Sequence, residues 1–235
     1  MEVKAKSNTV GIIGGMGPEA TLDLFYKMIK ATPAKKDQEH LHIVIDNFPQ
    51  IPDRTAFLLG KGEDPLPYIL KSLKTLEKAN VDVLCMPCNT AHYFVEDIRK
   101  ATPLPFISIV ESTLKEIKSS FKDSKNIGLL ATDGTIIGRV YHNIFEAEGY
   151  KIITPSEEKQ SEVMKIVYSI KAGEIEENVH LFEEIIEHMK LLGSGLVILG
   201  CTELPILLKY FKPSIPVIDA TSCLAKEVVN FALEK

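Results

Sequence analysis

No apolar run in the 235-residue sequence approaches the roughly 18–20 residues needed to cross a bilayer. The stretch from Met1 to Asn8 is polar and lacks the apolar centre of a signal peptide. A cytoplasmic protein with no membrane partner is therefore expected. An excess of basic residues is also missing. Lys plus Arg number 27 against 32 for Asp plus Glu, a net charge of -5. That balance argues against nucleic acid as a partner, because phosphate binding wants a basic surface. It leaves room for an anionic small molecule held in a local cationic pocket. Cysteine is scarce, limited to Cys85, Cys88, Cys201 and Cys223. Four thiols in a cytosolic chain of this size do not make a disulfide framework. The remaining options are catalysis, metal binding and core packing. Cys85 and Cys88 form a C-x-x-C, but the chain has no second one. That weighs against metal binding and against a thioredoxin-like redox site, and no metal is expected.

What is present is an ordinary globular composition, 45% hydrophobic and 25% charged, with length for one or two compact domains. Apolar strand-like runs alternate with helical spacing, the pattern of a parallel sheet with helices on both faces. Strands are expected at Thr9–Gly14, His42–Asn47, Val81–Met86 and Pro105–Ile109. The pattern then restarts, with strands at Asn126–Ala131, Lys151–Thr154, Gly195–Leu199 and Pro216–Ile218. Helical spacing of Leu22, Phe25, Tyr26 and Ile29 marks the first helix. Residues Phe48 to Pro67 read as a long loop and Thr135 to Glu148 as one helix. The two halves align. Val-Gly-Ile-Ile-Gly at 10–14 matches Ile-Gly-Leu-Leu-Ala at 127–131. Cys88-Asn89-Thr90 matches Cys201-Thr202-Glu203, and Pro-Phe-Ile-Ser at 105–108 matches Pro-Val-Ile-Asp at 216–219. The expected fold is α/β, two pseudo-symmetric domains, each a four-stranded parallel sheet flanked by helices. Residues 1–104 plus 213–235 are assigned to the first domain and 105–212 to the second, with the last helix crossing back onto the first.

The duplicated turn is the sharpest signal. Cys88 and Cys201 each follow an apolar strand, beside polar residues, at the start of a helix. A helix N-terminus lowers a thiol pKa from about 8.5 toward neutrality. Two such thiols facing each other across a cleft suit one reaction: one removes a proton from a stereocentre, and the other returns one to the opposite face. Cys85 and Cys223 read instead as core residues. His92 reads as a cap or surface residue. Arg54, in the long loop, and Lys171, near a helix end, are placed to hold the carboxylates of a small diacid. Gly15-Met16-Gly17-Pro18-Glu19-Ala20 also fits the dinucleotide fingerprint G-x-G-x-x-A, with Asp46 where a ribose-binding acid would sit. A nucleotide or small-anion binding module is thus the non-catalytic alternative.

Gly-Gly-Met-Gly-Pro at 14–18, Pro-Asp-Arg-Thr at 52–55, Met-Pro-Cys-Asn-Thr-Ala-His at 86–92 and Gly-Cys-Thr-Glu at 200–203 resemble the aspartate/glutamate racemase superfamily. They are nearest to archaeal-type aspartate racemases, which work without pyridoxal phosphate. The resemblance implies no cofactor, a site between two α/β domains, a homodimer, and Cys88 and Cys201 as catalytic cysteines. It implies Arg54 and Lys171 at the substrate's side-chain carboxylate. Asn89, Thr90, Thr132, Thr135 and Thr202 would surround the α-carboxylate and amino group, with Met16 and Glu203 as further substrate-site candidates. Glutamate racemases typically carry His where this chain has Glu203, which favours aspartate. Superfamily relatives with broad specificity or other isomerase activities keep a wider substrate range in view.

Overall fold

The computed structural model describes residues 7–234. In the first half the elements are β1 (Val10–Gly14), α1 (Pro18–Ala31), β2 (Ile43–Asn47), α2 (Arg54–Leu58), α3 (Leu66–Lys78), β3 (Val83–Cys85), α4 (Val95–Ala101), β4 (Phe106–Ile107) and α5 (Ile109–Ser120). In the second half they are β5 (Asn126–Leu130), α6 (Asp133–Ile137), α7 (His142–Ala147), β6 (Lys151–Ile153), α8 (Glu157–Lys171), α9 (Val179–Leu191), β7 (Leu196–Leu199), β8 (Val217–Asp219) and α10 (Ala220–Leu233). The strands form two four-stranded sheets of the same order, β2-β1-β3-β4 and β6-β5-β7-β8, with every pairing parallel. The repeat in the sequence is therefore a repeat of structure.

Alternation along the central strands sorts the core into layers. Val10, Ile12, Val83 and Cys85 point into the same cluster as Ile127, Leu129, Leu196 and Ile198, so one apolar core lies between the two sheets. The opposite faces of those strands, with Ile13, Leu84 and Met86 in the first half and Leu130, Val197 and Leu199 in the second, are covered separately. Cys85 and Cys223 both belong to the central core. Burial pushes each of their thiols up to about 12, which makes them packing residues.

The boundary expected at residues 104/105 and 212/213 does not follow the sheets. Phe106 and Ile107 pair with Leu84 and Cys85 of β3, and Val217 to Asp219 pair with β7. Each half keeps its own fourth strand, and the helices do the crossing. α10 packs on α1 and α5, and α5 also meets α7. Three local expectations also change. The buried face of α1 is Ala20, Thr21, Leu24 and Met28, while Leu22 and Tyr26 lie in solvent. The long loop contains α2, nucleated by Asp53, whose carboxylate accepts from the Ala56 N–H at 2.7 Å. The single helix expected over 135–148 is split into α6 and α7, with Arg139 between them at φ 51°. Among the described residues, no helix is long and apolar enough to cross a membrane.

Candidate active site

In parallel sheets, ligands bind beyond the carboxyl ends of the strands where the strand order reverses. Four such ends converge here. Met16 follows β1, Cys88 to Thr90 follow β3, Thr132 follows β5, and Cys201 to Glu203 follow β7. All border one cavity of about 30 Å³, together with Arg54 of α2 and Lys171 at the end of α8. Both thiols are buried. A volume of this size has room for water.

Of the candidate residues, Thr135 alone is off the cavity wall. It is fully buried and closes a triangle of hydroxyls, with Thr90 Oγ1 at 2.9 Å from both Thr132 Oγ1 and Thr135 Oγ1, and Thr132 to Thr135 at 3.1 Å. Its role in this geometry is to hold Thr90 of the first half against Thr132 of the second. Arg54 is braced by its own turn. Its Nη1 donates to the carbonyls of Ile51 and Pro52 at 3.1 and 2.9 Å, while its buried Nε has no partner among the described residues. A guanidinium fixed at one edge with donors left over is suited to gripping a carboxylate.

Residues 13–228 match the family described as Asp/Glu/hydantoin racemase. The chain belongs to the Asp/Glu/hydantoin racemase family. It is 30% identical over 233 residues to the broad-specificity amino-acid racemase RacX of Bacillus subtilis, covering 94% of this chain and 96% of the relative. Among solved structures, the aspartate racemase of Picrophilus torridus superposes with a TM-score of 0.82 at 30% identity, covering 95% of this chain and 93% of that one. An aspartate racemase homologue from Pyrococcus horikoshii superposes with a TM-score of 0.79 at 25% identity, covering 97% of this chain and all of that one. The protein is an amino-acid racemase of this superfamily.

The racemase's two thiol turns are alike in backbone plan but not in electrostatics. Cys201 Sγ donates to Glu203 Oε2 at 2.9 Å, and Thr202 Oγ1 donates to the same oxygen at 3.1 Å. Glu203 Oε1 lies 3.9 Å from Lys171 Nζ. Burial and then the Glu203 carboxylate raise the Cys201 thiol well above its ordinary range. The lowering expected from a helix N-terminus is overridden, because a short 3-10 turn, Leu204–Lys209, follows the turn and a carboxylate sits directly against the sulfur. Burial opposes the charge on Lys171, but the negative charge beside it, that of the Glu203 carboxylate first, outweighs it and holds its ammonium above the usual range.

His92 differs from its expected surface or capping role. It is buried, with Nδ1 2.8 Å from the Cys88 carbonyl and Nε2 accepting from the Ile109 N–H at 3.1 Å. That pairing fixes the neutral tautomer with the proton on Nδ1, and desolvation lowers its pKa to about 4. His92 thus anchors the Cys88 turn to the start of α5. Sequence reasoning also passed over Asp53, Thr55, Val167, Tyr168 and Gly200 of the cavity wall. Asp53 and Thr55 were findable as neighbours of Arg54, whereas Val167 and Tyr168 read only as helix faces. Gly15 of the fingerprint has a packing reason of its own. At φ 91° it lies so close to Phe48 that an added Cβ would stand 2.3 Å from that residue's backbone carbon.

Proposed function

We propose that the racemase interconverts L- and D-aspartate, without a cofactor, by proton transfer between Cys88 and Cys201 on opposite faces of Cα. The observation that carries this reading is two thiols, from corresponding turns of the two halves, bordering one small cavity with Arg54 and Lys171. Arg54 and Lys171 would grip the side-chain carboxylate. Thr90, Thr132, Thr202 and the Asn89 amide would serve the α-carboxylate and amino group. In the arrangement described, Cys201 is held as a thiol by burial and Glu203, which makes it the acid. Cys88, as thiolate, removes the Cα proton, and the electron pair moves into the α-carboxylate. The Cys201 S–H then delivers its proton to the other face, leaving Cys88 as thiol and Cys201 as thiolate. The reverse reaction starts from that state, and Glu203 is positioned to take up or return the Cys201 proton. Burial strengthens each of these interactions by excluding water. A cytoplasmic homodimer belongs to the same proposal and is tested by sedimentation and by fractionation.

The test is Cα exchange in deuterated water with chiral analysis of the product. Aspartate should take up deuterium and invert. Cys88→Ser and Cys201→Ser should each lower racemisation by about 10³-fold, the scale of a lost proton-transfer group. Full activity in either variant removes that thiol from the mechanism, and retention of the Cα hydrogen by aspartate removes the substrate assignment.

A second reading, broad specificity, rests on a different observation. A cavity of about 400 Å³ adjoins the first and shares Arg54, Lys171, Thr202 and Glu203 with it, extending along the start of α1 and past Ile170, Ile175 and Ile206. It has the size and apolar walls to take side chains longer than that of aspartate, and the Bacillus subtilis relative carries broad specificity in its name. Turnover of several amino acids with comparable kcat/KM across a panel would select this reading over the strict aspartate one.

A further inference from the structure

Tyr141 was not a candidate from the sequence, yet it touches both thiol turns. It sits between α6 and α7 in the second half, fully buried in the central core. Its hydroxyl donates to Asn89 Oδ1 at 2.6 Å, and Asn89 is the residue after Cys88. Its ring lies against Gly200, the residue before Cys201, where an added Cβ would stand 3.4 Å from Tyr141 Cε2. The ring is held from behind by Phe145, with centroids 5.7 Å apart. A single side chain therefore spans the distance between the two turns, with an aromatic edge on one and a hydrogen bond on the other.

The hydrogen bond also sets the direction of the Asn89 amide. A phenol in a buried site needs an acceptor, and Asn89 Oδ1 provides it. With its oxygen committed, Asn89 has its NH2 end left for the cavity that it borders. Without Tyr141 the amide is free to turn and present its oxygen instead, an acceptor where negative charge develops on the substrate.

We infer that Tyr141 is a positioning residue for racemisation, orienting Asn89 so that its amide donates to the developing carbanion and fixing the Cys88 turn relative to Gly200 and Cys201. This rests on Asn89 lying in the working site, as proposed above. Donors aimed at developing charge act on the transition state more than on bound substrate. Tyr141→Phe, which keeps the ring, should therefore lower kcat by about 10- to 100-fold and change KM by less than about threefold.

The experiment is a double-mutant cycle of Tyr141→Phe and Asn89→Ala, measured on the amino acid that the unmodified enzyme turns over fastest, with melting temperature as the fold check. Asn89→Ala should show a similar loss of kcat, and the double variant should fall no more than about twofold below Asn89→Ala, since Tyr141 acts through it. If the two losses multiply, or if Tyr141→Phe keeps its kcat while Asn89→Ala loses it, the role assigned to Tyr141 is overturned and the site reading stands. If Asn89→Ala keeps full activity, the site reading at Asn89 falls and the inference falls with it. Should Tyr141→Phe fail to fold, Asn89→Asp decides. It keeps the acceptor for Tyr141 and removes the donor, so it should fold and lose kcat as Asn89→Ala does. Retained kcat in that variant overturns the inference.

Discussion

At the scale of single residues, the two halves of the site have parted chemically while keeping a common backbone. The turn after β3 offers an amide next to its thiol; the turn after β7 offers a carboxylate. Glu203 touches Cys201 directly, so its charge and the burial of the sulfur both oppose ionisation. Replacing Glu203 by Gln removes the charge and leaves the burial. The Cys201 thiol should then ionise at lower pH. In a Cys88→Ser background, its alkylation by iodoacetamide at pH 8 should speed up severalfold, because the thiolate is the reacting species. An unchanged rate would show that burial alone holds the proton. His92 makes a separate prediction, on stability. Its pKa falls from 6.5 to about 4 on folding because the imidazole is desolvated. Between those values the unfolded chain binds the proton and the folded chain does not. The stabilisation is therefore complete above pH 6.5 and is lost as pH falls toward 4. The shift corresponds to about 3 kcal/mol. His92→Gln should be less stable than the parent at pH 7, and the gap, measured by urea unfolding, should narrow by about that amount at pH 4.

At the scale of elements, the site depends on contacts between segments that are far apart in the chain. Gly134, in α6, is packed against α2 and the Cys88 turn. A Cβ there would stand 2.8 Å from Thr55 Cα and 2.9 Å from Thr90 Cγ2. Gly134→Ala should therefore push α6 off α2 and disturb the hydroxyl triangle of Thr90, Thr132 and Thr135. The expected cost is about 1–3 kcal/mol, with a fall in kcat/KM larger than that of an alanine at an exposed helix position. Unchanged activity with lowered stability would separate the triangle from catalysis. The sequence made the elements themselves legible, because buried parallel strands read as apolar runs and the repeat tied each run to its partner. The thiol turns were legible for the same reason: Cys88 and Cys201 matched across the repeat and Cys85 did not. What stayed hidden was partnership. Periodicity reports that a segment is helical but not what each residue packs against, so the spacing that marks α1 includes Leu22 and Tyr26, which lie in solvent, and gives no sign of the contacts of Tyr141. His92 was misread because only the fold brings the Ile109 N–H to its second nitrogen.

At the scale of the whole molecule, the pseudo-symmetry extends to the way the halves are joined. Each sheet keeps its own four strands, but the helices that follow β4 and β8 cross the middle, and the core between the sheets is shared. α10 supplies Leu224, Val228 and Val229 to that core, and the carbonyl of Ala232 accepts from the N–H of Asn8 beside β1 at 2.9 Å. Asp219, at the start of α10, reaches Lys27 of α1 at 2.6 Å and caps its own helix by accepting from Thr221 and Ser222 N–H groups. Neither half has a complete apolar covering without the other. Thermal unfolding should therefore be one cooperative transition rather than two, with calorimetric and van't Hoff enthalpies in agreement. Removing residues 220–235 should expose the inner faces of both sheets at once. Each lost Leu or Val carries about 1.5–3 kcal/mol of burial, so the loss of three such residues alone rivals the net stability of a typical domain. The truncated chain should lose the fold of both halves together, read as lost amide protection in β1 and in β5 alike. Protection that persists in either strand would make that half an independent domain, and would mean that the two thiol turns are held together by less than the shared core implies.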